Sequence, residues 1–305
     1  MRTKLFGASL LRVSETRGNA HHLELYMIRK LTLLSCLGAL ACASDPTGSS
    51  LSLSFEGLPE LGADYVYEGW VIIDDAPVTT GRFTVAADGS HTSQFDIEAE
   101  SPAMFVLTIE PATGDVPAPS DTHVVAGAFN DAGMATLSVD HPAALNADFT
   151  TASASFILAT PSNENATPNQ GIWFLDPTGD APVATLDLPE LPAGWAYEGW
   201  VVGADGPVST GTFTDVAAAD SDAGGATAGP MATPPFPGQD FIDPAVDLAT
   251  GHMAVISIEP SPDDSPAPFQ LKPLGGAIGA DTAPALQSLG NIFAGNTISG
   301  NAVLN

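Results

Sequence analysis

Leu58 to Thr84 reads LPELGADYVYEGWVIIDDAPVTTGRFT, and 130 positions later Leu188 to Thr214 reads LPELPAGWAYEGWVVGADGPVSTGTFT. Seventeen of these 27 positions are identical, with no gap. A second block, Ile109-Glu110-Pro111 with Pro117-Ala118-Pro119, returns as Ile258-Glu259-Pro260 with Pro266-Ala267-Pro268 at an offset of 149. The second copy therefore carries 19 additional residues between its blocks. Self-similarity of this kind marks a duplicated unit.

The local pattern within each copy is that of short strands. Leu51, Leu53 and Phe55 alternate with Ser52, Ser54 and Glu56, as in a half-buried strand. Tyr65 to Ile73 is a second strand, ending in an Asp74-Asp75 turn. Arg82 to Val85 and His91 to Ile97 flank Asp88-Gly89 and predict a hairpin. Met104 to Ile109 is almost continuously apolar and reads as a central strand, and Val124 to Phe129 closes the unit. Ala135 to Val139, Ser155 to Ala159 and Ile172 to Asp176 are further strand candidates. Ala283 to Leu289 predicts one or two helical turns, and the Asn- and Gly-containing end of the chain is expected to fray. The expected class is all-β: two tandem β-sandwich (Ig-like) units with a connecting segment.

Charge is distributed unevenly. Past residue 42 two basic residues, Arg82 and Lys272, face 34 carboxylates, a net charge of −32. Such a body repels nucleic acid and anionic lipid headgroups, so no nucleic-acid partner is expected. Both cysteines, Cys36 and Cys42, precede it, which excludes a disulfide framework or cysteine-based zinc site in the body.

From Met27 the chain reads MIRKLTLLSCLGALACAS: Arg29 and Lys30, then an apolar run over 31–41. This is the pattern of an export signal, and the run is shorter than the roughly 20 residues needed to span a bilayer. Ala39-Leu40-Ala41-Cys42 resembles a bacterial lipobox, which predicts acylation of Cys42 and a membrane-anchored lipoprotein facing outside the cytoplasm. Met27 is the expected translation start. The expected organisation is an N-terminal extension and signal over 1–43, a tether over 44–50, and a first β domain over 51–134. A connecting β segment over 135–182 follows, then a second β domain over 183–280 with an insert over 217–237, and a tail over 281–305.

Both copies resemble the C-terminal, extracytoplasmic domain of anti-sigma-K factors. The residues that carry the resemblance are Leu58-Pro59, Tyr67, Trp70, Pro77, Gly81, Phe83, Glu110-Pro111, Pro117, Pro119 and Gly127. Their counterparts are Leu188-Pro189, Tyr197, Trp200, Pro207, Gly211, Phe213, Glu259-Pro260, Pro266, Pro268 and Gly276. Where the family usually has Gln-Leu, this chain has Glu68-Gly69 and Glu198-Gly199. The resemblance implies an all-β domain outside the membrane. It does not imply sigma-factor binding, which in the family belongs to a separate cytoplasmic domain.

Candidate chemistry is sparse. Trp70 and Trp200 read as core anchors rather than carbohydrate-stacking platforms. Glu68 and Glu198 belong to different copies, which argues against a glycosidase pair. His91, His123, His141 and His252 lack ligand spacing, and there is no Gly-x-Ser-x-Gly elbow or phosphate-binding glycine loop. No cofactor is expected. The one metal alternative is Ca²⁺ on Asp220, Asp222, Asp240 and Asp243 around the insert, although their spacing matches no EF-hand loop. The expected function is a non-enzymatic envelope lipoprotein, a structural, sensing or partner-binding module with an envelope protein as partner. The alternative is a secreted carbohydrate-binding protein or hydrolase.

Overall fold

The computed structural model of the protein describes residues 49–86, 88–97, 102–263 and 265–305. The expected signal, with Met27 and Cys42, lies outside the described residues. The first repeat supplies β1 (Ser49–Glu56), β2 (Tyr65–Ile73), β3 (Ala76–Phe83), β4 (His91–Ile97), β5 (Met104–Pro111), β6 (His123–Ala128) and β7 (Met134–Ser138). β8 (Ser153–Leu158) and β9 (Gly171–Trp173) follow, then three two-residue strands, β10 (Leu175–Asp176), β11 (Val183–Ala184) and β12 (Leu186–Asp187). The second repeat supplies β13 (Trp195–Gly203), β14 (Gly206–Phe213), β15 (Gly238–Asp240), β16 (Met253–Pro260), β17 (Leu274–Ala277), β18 (Gln287–Asn291) and β19 (Ser299–Leu304). Among the described residues, helix is confined to two 3-10 turns, Pro168–Gln170 and Phe293–Gly295. No helix there is long and apolar enough to cross a membrane.

The protein is all-β, built on two large antiparallel sheets. The first runs β3-β2-β5-β6-β7-β19-β1-β4, and the second runs β14-β13-β16-β17-β18-β8-β9-β15, with β12 also paired to the start of β8. Each sheet curls until its ends lie side by side, β3 near β4 and β14 near β15, without a hydrogen-bonded ladder joining them. The two paths correspond strand for strand, as do the registers at the repeated block. Tyr67 faces Phe83 and Trp70 faces Thr79, while Tyr197 faces Phe213 and Trp200 faces Ser209.

The correspondence reveals an exchange of strands. β8 follows β7 in the chain yet lies in the second sheet, between β18 and β9. β19 follows β18 yet lies in the first sheet, between β7 and β1. Each repeat thus lends its last strand to the other. The apolar consequence is one continuous core, in which Leu53, Phe105, Leu137 and Phe149 join Phe156, Phe174, Trp195 and Ile256.

Three local expectations are corrected. The turn at Asp88-Gly89 exists, closed by Gly89 N–H donating to Ala86 O, but the chain on either side does not form a hairpin. β4 pairs with β1 along seven residues, and β3 pairs with β2. The end of the chain does not fray, because β19 is paired on both sides. Over 283–289 the chain is not helical, and from Gln287 it pairs with β8, which removes Ser288 and Leu289 from any helical option.

Candidate functional site

The Glu-Gly-Trp core of each repeat is built around a β-bulge. Pairing of β2 with β3 slips between Gly69 and Trp70, so that Thr80 has no opposite residue. Its hydroxyl lies over Gly69, where a Cβ would come within 2.4 Å of it. In the second repeat the slip falls between Gly199 and Trp200, and a Cβ on Gly199 would come within 2.2 Å of the Thr210 hydroxyl. The residues after the bulged threonines, Gly81 and Gly211, have φ of 114° and 110°, a region that favours glycine. Pro77 and Pro207 sit near the start of β3 and β14, which are end strands of their sheets, where a missing N–H is tolerated.

Each tryptophan is buried apart from the main apolar core, Trp70 on the strand face that also carries Glu68 and lies against Val116 and Pro117 of the proline-rich loop, and a chain of hydrogen bonds follows. Trp70 is 3% exposed and its indole Nε1–H donates to Thr108 Oγ1 at 2.9 Å. The Thr108 hydroxyl donates to Glu110, whose Oε1 also accepts the Ser120 N–H at 2.8 Å. Trp200 is 2% exposed and donates to Ser257 Oγ at 2.7 Å. Ser257 donates to Glu259, whose Oε1 accepts the Phe269 N–H at 2.8 Å. The repeated Glu-Pro pair is therefore an anchor for the proline-rich loop, holding its return point by a backbone N–H. Tyr67 and Tyr197 pack on Phe83 and Phe213, with ring centroids 5.7 and 5.6 Å apart. Their hydroxyls donate to Pro59 O and Pro189 O at 2.8 and 2.6 Å, which ties the Leu-Pro entry segment to the strand.

The copies differ at one chemically decisive position. Arg82 pairs across β2–β3 with Glu68, and Thr212 occupies the same register opposite Glu198. In the first repeat Arg82 Nε lies 3.3 Å from Glu68 Oε2, and Nη2 lies 3.5 Å from Asp115 Oδ2. In the second repeat no guanidinium is present. Glu198, Glu259 and Asp263 instead each bring a carboxylate oxygen within 4.8 Å of the others. Glu259 is fully buried and Glu198 is 7% exposed. Burial pushes Glu259 up to about 8, with the neighbouring Asp263 and Glu198 charges adding to the rise, and pushes Glu198 up to about 7. Burial lowers Lys272, while Glu259 acts to raise it. Burial also raises Glu110 in the first repeat.

Among the described residues this is the group of acids best placed to hold a metal ion. The four aspartates around the insert are arranged differently. Asp220 Oδ1 accepts the Ala223 N–H at 2.9 Å and Oδ2 the Gly238 N–H at 2.8 Å. Asp240 Oδ2 accepts the Ser162 hydroxyl at 2.5 Å and Oδ1 the Trp173 indole N–H at 2.8 Å. Both are turned to the protein's own donors, closing the insert onto β9 and β15. The histidines are dispersed: His91 stacks on Phe83 at 3.8 Å, and His123 Nδ1 meets Ala143 O at 2.8 Å.

The sequence pattern assigns no site role to Arg82, Thr108, Ser257, Asp263 or Lys272. For Arg82 and Lys272 the signal is their standing as the lone basic residues past residue 42. The hydroxyls two residues before each Glu-Pro carry a signal only once the repeats are aligned, since one is Thr and the other Ser.

Residues 37–124 match the family model described as "Anti-sigma-K factor rskA, C-terminal". The match covers the first repeat as far as β6 and amounts to under a third of the chain. No curated protein matches the chain, and no solved structure does.

Proposed function

We propose that this chain is a non-enzymatic module of the bacterial cell envelope. It is held at a membrane by acylation of Cys42 and presents two anti-sigma-K C-terminal-like halves to an envelope protein partner. The observation that carries the reading is the duplication of one buried network. The residues that match the family in the first repeat hold the same contacts in the second, and they serve the fold: Trp to hydroxyl, hydroxyl to Glu, Glu to loop N–H. A repeated motif whose buried polar groups bond to one another suits a rigid display scaffold. The chemistry of recognition then belongs to loops and strand faces around it.

Metabolic palmitate labelling tests the address. The full chain is expected to take up label and fractionate with membranes, and Cys42→Ala is expected to lose both. Equal labelling of the two would refute the anchor. In vivo crosslinking of the labelled form, followed by identification of the captured envelope protein, tests the partner. Recovery of a cytoplasmic sigma factor instead would overturn the assignment of role.

The charge of the body implies a saline or cation-rich setting. With 34 carboxylates and two basic side chains past residue 42, mutual repulsion opposes the compact state. The Debye length falls from about 8 Å at 0.15 M salt to about 3 Å at 1 M. Melting temperature is therefore expected to climb steadily from 0.05 to 1 M NaCl, and a flat profile would reject the screening account. Ca²⁺ that stabilises far beyond NaCl of equal ionic strength, with the gain lost in Glu259→Gln, would instead identify an ion among Glu198, Glu259 and Asp263.

A further inference from the structure

The exchange of strands requires two crossovers, and a concavity of about 690 Å³ opens where they meet. Asp140, Asp148, Phe149 and Thr150 line it from the β7–β8 crossover, and Phe293 and Thr297 from the β18–β19 crossover. The volume falls within the range of roughly 300–1,000 Å³ typical of small-molecule sites. We infer that this concavity binds a small organic cation, an ammonium group joined to an apolar body. The inference goes beyond the envelope role proposed above and does not depend on it.

The first argument is that the site is preformed. Asn291 Nδ2 donates to Phe149 O at 2.5 Å and to Ala152 O at 3.3 Å, stitching one crossover to the other. The Asn291 carbonyl oxygen accepts the Phe293 N–H at 3.2 Å, which fixes the turn that carries Phe293. The Phe149 and Phe293 rings meet at 4.7 Å between centroids, giving the concavity an aromatic floor.

The second argument is charge. The lining holds two carboxylates, Asp140 and Asp148, and no Lys, Arg or His. Asp148 Oδ1 accepts the Thr150 N–H at 2.8 Å. Hydrogen bonds from Thr150 hold its carboxyl below the usual carboxylate range, so it is ionised at neutral pH. An anionic ligand is repelled here. An ammonium gains the carboxylates, and its hydrocarbon part lies against the half-buried Phe293 ring, which the buried Phe149 backs.

The third argument is asymmetry. Residues 292–298 suffice to join β18 to β19, whereas the equivalent step from β7 to β8 uses residues 139–152. Strand exchange alone does not require the longer crossover. Its surplus contains the turn at Asn146, with φ of 50°, that swings Asp148 and Phe149 to the concavity.

The test titrates 2-phenylethylammonium chloride into the full chain by calorimetry at 0.15 M NaCl. Parallel titrations use 3-phenylpropionate and a neutral disaccharide, maltose. One saturable site is expected for the ammonium probe and none for the carboxylate. Asp148→Asn keeps the acceptor for Thr150 while removing the charge, and should weaken binding at least tenfold, as should Phe293→Ala. Asp205→Asn makes the same charge change in the exposed β13–β14 turn, and should leave the affinity as it is. Equal weakening by Asp205→Asn would mean diffuse attraction to an acidic body and would overturn the site. So would an absence of saturable binding, or saturable binding of maltose alone.

Discussion

A chain ending at Ile298 is expected to lose the first sheet as a cooperative structure. The missing strand is internal: β19 pairs with β1 from Leu51↔Leu304 to Glu56↔Ser299, and with β7 from Met134↔Val303 to Ser138↔Ser299. Its removal leaves two bare edges in the middle of the sheet and uncovers Leu53, Phe55 and Leu137, all essentially fully buried. Gly300 shows how closely the strand is fitted, since a Cβ there would lie 2.6 Å from Ser54 O and 2.7 Å from the Phe55 ring. Unpaired backbone groups and exposed apolar side chains together place the loss above the roughly 4–5 kcal/mol that marks the most damaging single substitutions. Because one core runs through both sheets, the second sheet should be weakened as well. Urea unfolding of the full and shortened chains measures the effect, with the peptide SGNAVLN added in trans as a rescue arm. A loss of about 1 kcal/mol or less would show that β19 is dispensable, and the strand-exchange description would fall.

This strand also shows where the sequence stops being legible. β2 and β5 can be read from Tyr65 to Ile73 and Met104 to Ile109, because apolar and aromatic residues there match a buried strand whatever lies alongside. β19 cannot. Ser299, Gly300 and Asn301 favour turns by themselves, and the strand exists because β1, some 250 positions away, supplies its partner. The hairpin expected at Asp88-Gly89 failed for the same reason. The turn residues were right, yet β4 found its ladder on β1, and β3 found its own on β2. The duplication announced two similar units but gave no hint that each would complete the other. At the site, Trp, Tyr, Gly and Glu-Pro were visible as repeated letters. Their meaning came from the bulge at Gly69 and Gly199, which is a feature of pairing rather than of composition.

Stability is expected to fall as pH rises from 5.5 to 9, and the second repeat is expected to account for most of the fall. Glu259 and Glu198 are ordinary carboxylates in the unfolded chain and are raised to about 8 and about 7 in the folded one. Below the unfolded values both states hold the protons and the folded protein has its full stability. Between the unfolded and folded values the native state binds more protons than the unfolded state, so stability declines with pH until both groups have ionised. A tenfold change in a carboxyl's proton affinity corresponds to about 1.4 kcal/mol, and the two groups interact, so a total change of about 2–5 kcal/mol is expected over the window. Glu110 and Asp220, raised by burial, act in the same direction, and variants rather than the wild-type curve isolate the pair. Glu259→Gln keeps an acceptor for Ser257 and the Phe269 N–H, and should flatten the profile while raising stability at pH 9. Thr212→Arg tests the contrast between the repeats more directly. It places a guanidinium opposite Glu198, as Arg82 stands opposite Glu68 at 3.3 Å, and should restore a stable ionised pair above pH 8. Denaturant melts in 1 M NaCl, where long-range repulsion is muted, provide the measurement. A slope between pH 5.5 and 9 that survives in Glu198→Gln/Glu259→Gln would show that these carboxylates are not its source.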